Sequence, residues 1–131
     1  MRLVLMLCVL CAILVAPALA GKIVVNHDEW TMSNGQPNAG QFAASIANWF
    51  SPGGPGNFLV YTNNFGLNNA TFTGALTGAG HSVSVNTGVT FDLPNLSAYE
   101  GVFLGGYLGG YDASVLTSYV NGGGNVYLMG G

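Results

Sequence analysis

The chain has 131 residues, of which half are hydrophobic and only 5% are charged. Two basic residues stand against five acidic ones, so the formal net charge is −3 at pH 7. So few cations cannot follow a phosphate backbone or hold the chain on an anionic membrane surface, which argues against nucleic-acid and lipid-headgroup partners. High hydrophobicity with low charge also argues against intrinsic disorder.

The first 20 residues have the pattern of a signal peptide. Arg2 provides a positive start, residues 3–15 are an unbroken apolar run, and Ala18-Leu19-Ala20 is a small-x-small cleavage site. A membrane anchor is the alternative, but it needs about 20 apolar residues, and Pro17 interrupts this shorter run. We therefore predict a secreted, periplasmic or cell-surface protein with no stable membrane insertion after cleavage, whose mature domain is residues 21–131.

Both cysteines, Cys8 and Cys11, fall within the predicted signal peptide. The mature chain would then contain no thiol, no disulfide and no cysteine metal ligand. Exported proteins can use disulfides, so this pattern favours a hydrophobic core that is stable without them.

Five apolar runs are predicted to form strands. In chain order they are residues 22–25, 58–61, 81–85, 102–104 and 126–129. Runs without polar alternation are typical of strands that are covered on both faces, as in parallel α/β sheets. The third run alternates serine with apolar residues, so we expect that strand to be half exposed near a sheet edge.

Helical patterns lie between these runs. The first helix, after Pro37, is expected to bury one face with apolar residues at i, i+4, i+7 and i+8, namely Phe42, Ile46, Trp49 and Phe50. A weaker helix carries Phe72, Ala75, Leu76 and Ala79 and ends at Gly80. A short turn begins at Asp92, and a last helix begins at Asp112 and ends in the glycines 122–124.

The order of elements is β-α-β-α-β-(short α)-β-α-β. Strands that alternate with helices predict an α/β fold, here a three-layer α/β/α sandwich around a mainly parallel five-stranded sheet. The sequence stops on the fifth strand, whose apolar surface would be left partly exposed without a following helix. We therefore expect the chain to be the N-terminal part of a longer domain, with a covering partner subunit as the alternative.

The loop after the first strand contains the densest group of reactive side chains. His27 is a candidate general base or metal ligand, and Asp28 or Glu29 is a candidate partner that orients it. The structural alternative is that Asn26 or Asp28 bonds the loop backbone and that Trp30 packs over a helix. A second ligand such as His81 is expected at the opposite end of its strand.

Other polar residues follow the later strands at the same predicted rim: Asn63, Asn64, Asn86 and Thr87. They are candidates for binding a neutral ligand such as a sugar, with Trp30, Tyr107 and Tyr111 as stacking surfaces. The alternative is that these asparagines only stabilise turns.

Gly105 and Gly106 begin a glycine-rich loop that has neither the GxGxxG spacing nor the GK[ST] of nucleotide-binding loops. The first strand is likewise followed by no glycine fingerprint. We therefore expect no nucleotide cofactor, and the paired glycines indicate a tight turn close to a neighbouring loop.

Two segments resemble the glutamine-amidotransferase-like (flavodoxin-like) superfamily. Residues 99–106 (YEGVFLGG) form a strand ending in Gly-Gly, and residues 115–128 (VLTSYVNGGGNVYL) form a helix, a glycine turn and an apolar strand. The opening residues 23–31 also look like the start of uncharacterised secreted bacterial proteins of this kind. The resemblance covers most of residues 22–131 and implies the same three-layer fold.

The resemblance also bears on catalysis. Its catalytic members carry a cysteine nucleophile just after a strand like residues 126–128, where this chain has Met129, which has no ionisable group. The histidine and acid partners would lie beyond residue 131. The resemblance therefore implies a noncatalytic relative.

We accordingly expect an exported noncatalytic domain with a binding or structural role, whose partner is a neutral glycan or a protein. The alternative is a hydrolase of amides or glycans that uses His27 with Asp28 or Glu29. A carbohydrate-binding module is a third possibility.

Overall fold

A computed structural model of the chain describes residues 19–61, 65–106 and 111–130. The elements are β1 (Ile23–Asn26), α1 (Ala39–Phe50), β2 (Asn57–Tyr61), α2 (Ala70–Gly78), β3 (Ser82–Val85), α3 (Leu93–Leu96), β4 (Gly101–Gly105), α4 (Ala113–Asn121) and β5 (Asn125–Met129). The predicted α/β alternation is therefore confirmed. None of the described helices is long and apolar enough to span a bilayer.

The five strands form one sheet in the order β1-β5-β4-β2-β3, and every neighbouring pair is parallel. Strands β3, β2, β4 and β5 follow the 2-1-3-4 part of flavodoxin order, and β1 takes the edge position that the fifth strand has there. The predicted mainly parallel sheet is confirmed, and the architecture agrees with a flavodoxin-like three-layer sandwich. Because all strands are parallel, their carboxyl ends lie at one edge of the sheet.

One face of the sheet packs against α1 and α2, which also contact each other. At the centre of this layer Phe103 lies among four aromatic rings, with centroid distances of 5.1 to 6.0 Å. These rings belong to Phe50, Phe58, Phe72 and Tyr127. Edge-on and tilted arrangements of this kind add to the stability that burial alone provides.

The opposite face packs against α3 and α4. Leu59, Val102 and Val126 point from the sheet into this layer and are fully or almost fully buried. Tyr119 of α4 joins them, and its hydroxyl donates to the Tyr99 carbonyl at 2.8 Å. Burial, with a smaller contribution from the Glu100 carboxylate, raises the pKa of this phenol well above its usual range.

The predicted helix starts and stops are present. Asp92 accepts from the Asn95 backbone N–H at 2.9 Å and Asp112 from that of Ser114 at 2.7 Å, so both act as N-caps. The hydrogen bonds from Ser114 lower the pKa of the Asp112 carboxyl. Gly80 follows α2 with φ of +91°, a left-handed conformation that favours glycine at a helix end.

The expected buried face of α1 is only half right. Ile46 and Phe50 are buried, but Phe42 and Trp49 are 38% and 50% exposed. The remaining buried positions of the helix are alanines, namely Ala39, Ala43 and Ala47. These small residues face the core, and alanine there lets the helix axis approach its neighbours closely. The two large rings, Phe42 and Trp49, lie at the margins of the core.

The expectation of exposed apolar surface on the last strand is also wrong. β5 lies between β1 and β4, and Val126, Tyr127 and Met129 are buried. The exposed apolar side chains are instead on the edge strand β1, where Ile23 and Val25 are 54% and 55% exposed. The prediction that the third strand lies at an edge is confirmed.

Candidate functional site

The carboxyl ends of the strands form a rim. The loop from His27 to Asn38 after β1 is its largest described part, and its other described parts are residues 65–69, 86–92, Gly106 and Gly130. Open parallel sheets bind their ligands at this edge.

Asn26, at the end of β1, is held by two hydrogen bonds. Its Nδ2 donates to the Tyr127 hydroxyl at 2.9 Å, and its Oδ1 accepts from the Asp28 backbone N–H at 3.0 Å. Burial raises the pKa of Tyr127 to about 12, with the Asn26 hydrogen bond opposing this rise. The side chain therefore joins β1 to β5 and shapes the start of the loop.

Asp28 also bonds its own loop. Oδ1 accepts from the Trp30 N–H at 2.9 Å, and Oδ2 accepts from the Thr31 hydroxyl at 3.0 Å. Among the described residues no hydrogen bond joins His27 to Asp28 or Glu29, and His27 is exposed. The three side chains are adjacent in sequence, but the structure does not combine them into an acid–base pair.

His81 lies at the other end of the sheet, before β3, as expected. Its Nδ1 accepts from the Gly56 N–H at 3.0 Å, and its Nε2 is 3.1 Å from Asn48 Oδ1. The first bond requires an unprotonated Nδ1, so Nε2 carries the proton and donates to Asn48. Desolvation lowers the pKa of this buried imidazole. Within the described ranges no three histidine, cysteine or acidic side chains are grouped to hold a metal ion.

Trp30 is the most exposed aromatic ring of the described rim, with 63% of its surface accessible. It borders a cavity of about 330 Å³ together with Glu29, Ser33, Phe65 and Gly66. The cavity lies between the loop after β1 and the chain that leads into α2. Sequence reasoning selected Trp30 but not Ser33 of the same loop, nor Phe65 and Gly66, which line the cavity from the other side.

The two walls of this cavity are joined through Met32, which is fully buried. Its carbonyl oxygen accepts from Asn69 Nδ2 at 2.8 Å. A Cβ atom at Gly66 would lie 2.5 Å from the same oxygen, and Gly66 has φ of +78°. Glycine is therefore required here, and the close approach fixes the loops relative to each other.

The remaining rim candidates lie elsewhere along the edge. Asn86 accepts from the Gly88 N–H at 2.8 Å and so stabilises a turn. Gly105 and Gly106 line a second cavity of about 250 Å³ with His27 and Tyr111. Asn63, Asn64 and Tyr107 lie outside the described residues.

Met129 ends β5 beside this second cavity. It is 4% exposed and belongs to the core layer under α1 and α2. A thioether here supplies packing and no ionisable group.

Comparison of the chain with protein-family models, with curated proteins and with solved structures finds no match. The chain is therefore classified by its fold and its rim alone. It is a parallel α/β domain whose rim has a cavity, with Glu29 as the charged residue of its described lining, beside the exposed Trp30.

Proposed function

We propose that this chain is an exported, noncatalytic binding domain and that it holds a neutral carbohydrate in the cavity beside Trp30. The observation that carries the proposal is the 63% exposed indole at the mouth of a cavity whose two walls are fixed to each other. A large exposed ring on a rigid loop provides contact area at low entropic cost.

The chemistry of the cavity favours a neutral polyhydroxylated ligand. Glu29 and Ser33 offer oxygen atoms that accept hydrogen bonds from hydroxyl groups, and Trp30 offers an apolar face. No lysine or arginine lines this cavity among the described residues, so an anionic ligand would meet only the Glu29 carboxylate. Phosphorylated or sulfated ligands are therefore disfavoured.

The noncatalytic part of the proposal is supported by the loop after β1. One Asp28 oxygen accepts from the Trp30 backbone N–H and the other from the Thr31 hydroxyl, so the carboxylate bonds its own loop and not His27. A hydrolase acting through His27 would need that acid, or Glu29, to orient the imidazole.

Kinship with the glutamine-amidotransferase-like superfamily is part of the same proposal. The strand order and the glycine turn before β5 support it. The buried Met129 supports a relative that has no nucleophile at that position.

A glycan array probed with the exported protein tests the proposal, and the chain has a matched pair of tryptophans for controls. Trp49 is 50% exposed, at the C-terminal end of α1 beside Lys22, whose Nζ lies 5.0 Å from the ring centroid. We expect binding to a neutral glycan that Trp30→Ala weakens about tenfold or more, whereas Trp49→Ala leaves it unchanged. An array with no signal, or equal losses in the two variants, would contradict the proposal.

The hydrolase alternative is tested separately. The exported protein is assayed on a panel of amide and glycan substrates, with His27→Ala as the comparison. We expect no turnover by either protein. Turnover that disappears in His27→Ala, while the melting temperature is unchanged, would replace the binding proposal with an enzymatic one.

A further inference from the structure

The chain passes over the C-terminal end of α4 immediately before β1. The Gly21 backbone N–H donates to the Val120 carbonyl oxygen at 2.7 Å. A Cβ atom at position 21 would lie 1.7 Å from the Gly124 carbonyl oxygen, so only glycine fits this position. Gly21 is thus fixed against the helix end by one hydrogen bond and by close packing.

The carbonyl groups at this helix end accept hydrogen bonds only from neutral donors: those of Ser118 and Tyr119 accept from the backbone N–H groups of Gly122 and Gly124 at 3.0 Å. The last carbonyl groups of a helix lack intrahelical donors and carry the negative end of the helix dipole. The last turn of α4 contains no basic side chain. The Val120 oxygen accepts from the Gly123 N–H at 3.0 Å as well as from Gly21, and both donors are neutral amides in the uncut chain.

The residues just before Gly21 are at the surface. Leu19 is 82% exposed, and Ala20 is also exposed. The bond between Ala20 and Gly21 therefore joins an exposed segment to a partly buried contact, and it coincides with the end of the small-x-small pattern at residues 18–20.

We propose that the Ala20–Gly21 bond is the processing site and that cleavage creates a charged structural group, the Gly21 ammonium, at the C-terminal end of α4. An endopeptidase would hydrolyse the amide: water adds hydroxyl to the Ala20 carbonyl carbon and a proton to the Gly21 nitrogen. Protonation at neutral pH then converts the Gly21–Val120 contact into a charge-assisted hydrogen bond. This inference rests on the proposed export, and it gives processing a role in stabilising the mature fold.

Because the Gly21 ammonium is charged only when protonated, its contribution to the stability of the mature fold depends on pH. A positive group at a helix C-terminus is favoured, so folding raises the pKa of the amine above its unfolded value of about 7.7–8.0. The stabilisation is complete below that unfolded value and is lost as pH rises through the folded pKa. The other titratable groups at this end of the sheet are Lys22, His81, Tyr99, Glu100 and Tyr119.

The first measurement is the intact mass of the exported protein, which we expect to correspond to a chain beginning at Gly21. The second compares the free and Nα-acetylated forms of residues 21–131, both made in the cytosol behind an initiator methionine that is removed, without and with an N-terminal acetyltransferase that transfers the acetyl group of acetyl-CoA. Both forms contain the same Lys22, His81, Tyr99, Glu100 and Tyr119, so the contributions of these groups cancel in the comparison. We expect acetylation to lower the melting temperature by about 3–6 °C at pH 6 and to have no effect at pH 10.

Gly21→Ala provides a steric control. The added methyl group should lower the melting temperature, and it should abolish the difference between the free and acetylated forms because it displaces the ammonium from Val120. The inference is overturned if the exported chain begins at another residue, or if the free and acetylated forms of the Gly21 chain melt alike at pH 6. Retention of all 131 residues inside the cell would refute export itself, whereas glycan binding at Trp30 is measured independently at the opposite edge of the sheet.

Discussion

Asn125, the first residue of β5, is the buried polar side chain on which the amino-terminal edge of the sheet depends. Its Oδ1 accepts from the Lys22 N–H at 2.9 Å. Its Nδ2 donates to the Phe50 carbonyl at 3.2 Å and to the Glu100 carbonyl at 2.6 Å. One amide that is 6% exposed therefore joins the start of β1, the end of α1 and the residue before β4.

Asn125→Ala removes all three hydrogen bonds at once. A buried group left without a partner costs about 1–3 kcal/mol. The substitution does not leave all three partners unsatisfied, because the hydrogen bond from the Lys22 N–H is only partly buried. We expect the free energy of unfolding to fall by about 2–4 kcal/mol. Urea unfolding followed by circular dichroism measures this change as a shift in midpoint at constant slope.

Asn121→Ala is the matched control, since Asn121 is exposed at the end of α4. Its expected effect is within about 0.5 kcal/mol. Asn125→Asp should be worse than Asn125→Ala at pH 7, because the new carboxylate would place negative oxygen against two carbonyl acceptors. An Asn125→Ala protein as stable as the Asn121→Ala protein would refute the reasoning.

Three further predictions concern the core, the buried histidine and the cavity. Phe103→Ala should lower the free energy of unfolding by about 3–5 kcal/mol, measured in urea, and Phe103→Leu should lower it less because a smaller cavity remains. Because the pKa of His81 is lowered in the fold, stability should be complete above about pH 6.5 and decrease as pH falls below it; melting curves from pH 7 to pH 5 check this, and His81→Gln should flatten the dependence. Gly66→Ala should lower the melting temperature by several degrees, since its Cβ would meet the Met32 carbonyl oxygen; an unchanged value would show that the two loops are not fixed there.

The local part of the fold was predictable because it depends on neighbouring residues. Apolar runs bounded by glycines gave the strands, and the carboxylates of Asp92 and Asp112 marked helix starts through short-range hydrogen bonds. The placement of β1 beside β5 was not predictable in this way. This pairing brings together strands from the two ends of the described chain. The pattern of apolar residues within a strand does not indicate which strand lies beside it.

The site was predictable only in part for the same reason. An indole after a strand indicates a rim residue, so Trp30 was selected from sequence. The opposing wall at Phe65 and Gly66 depends on the close approach of Gly66 to Met32, which is 34 residues earlier, and the only sequence signal for it is the glycine itself. Asn125 was missed because an asparagine after a run of glycines has the appearance of a turn residue, and its three partners are distant in sequence.

The most direct measurement of the central claim uses the fluorescence of Trp30 itself. The chain has two tryptophans, so Trp49→Phe leaves Trp30 as the sole indole of the protein. Titration of this variant with neutral oligosaccharides of glucose, galactose, mannose and N-acetylglucosamine should produce, for at least one of them, a saturable change in emission with a single-site midpoint. Oligosaccharide binding that is detected by calorimetry and leaves the Trp30 emission unchanged, or no binding of any of the four, would contradict the claim.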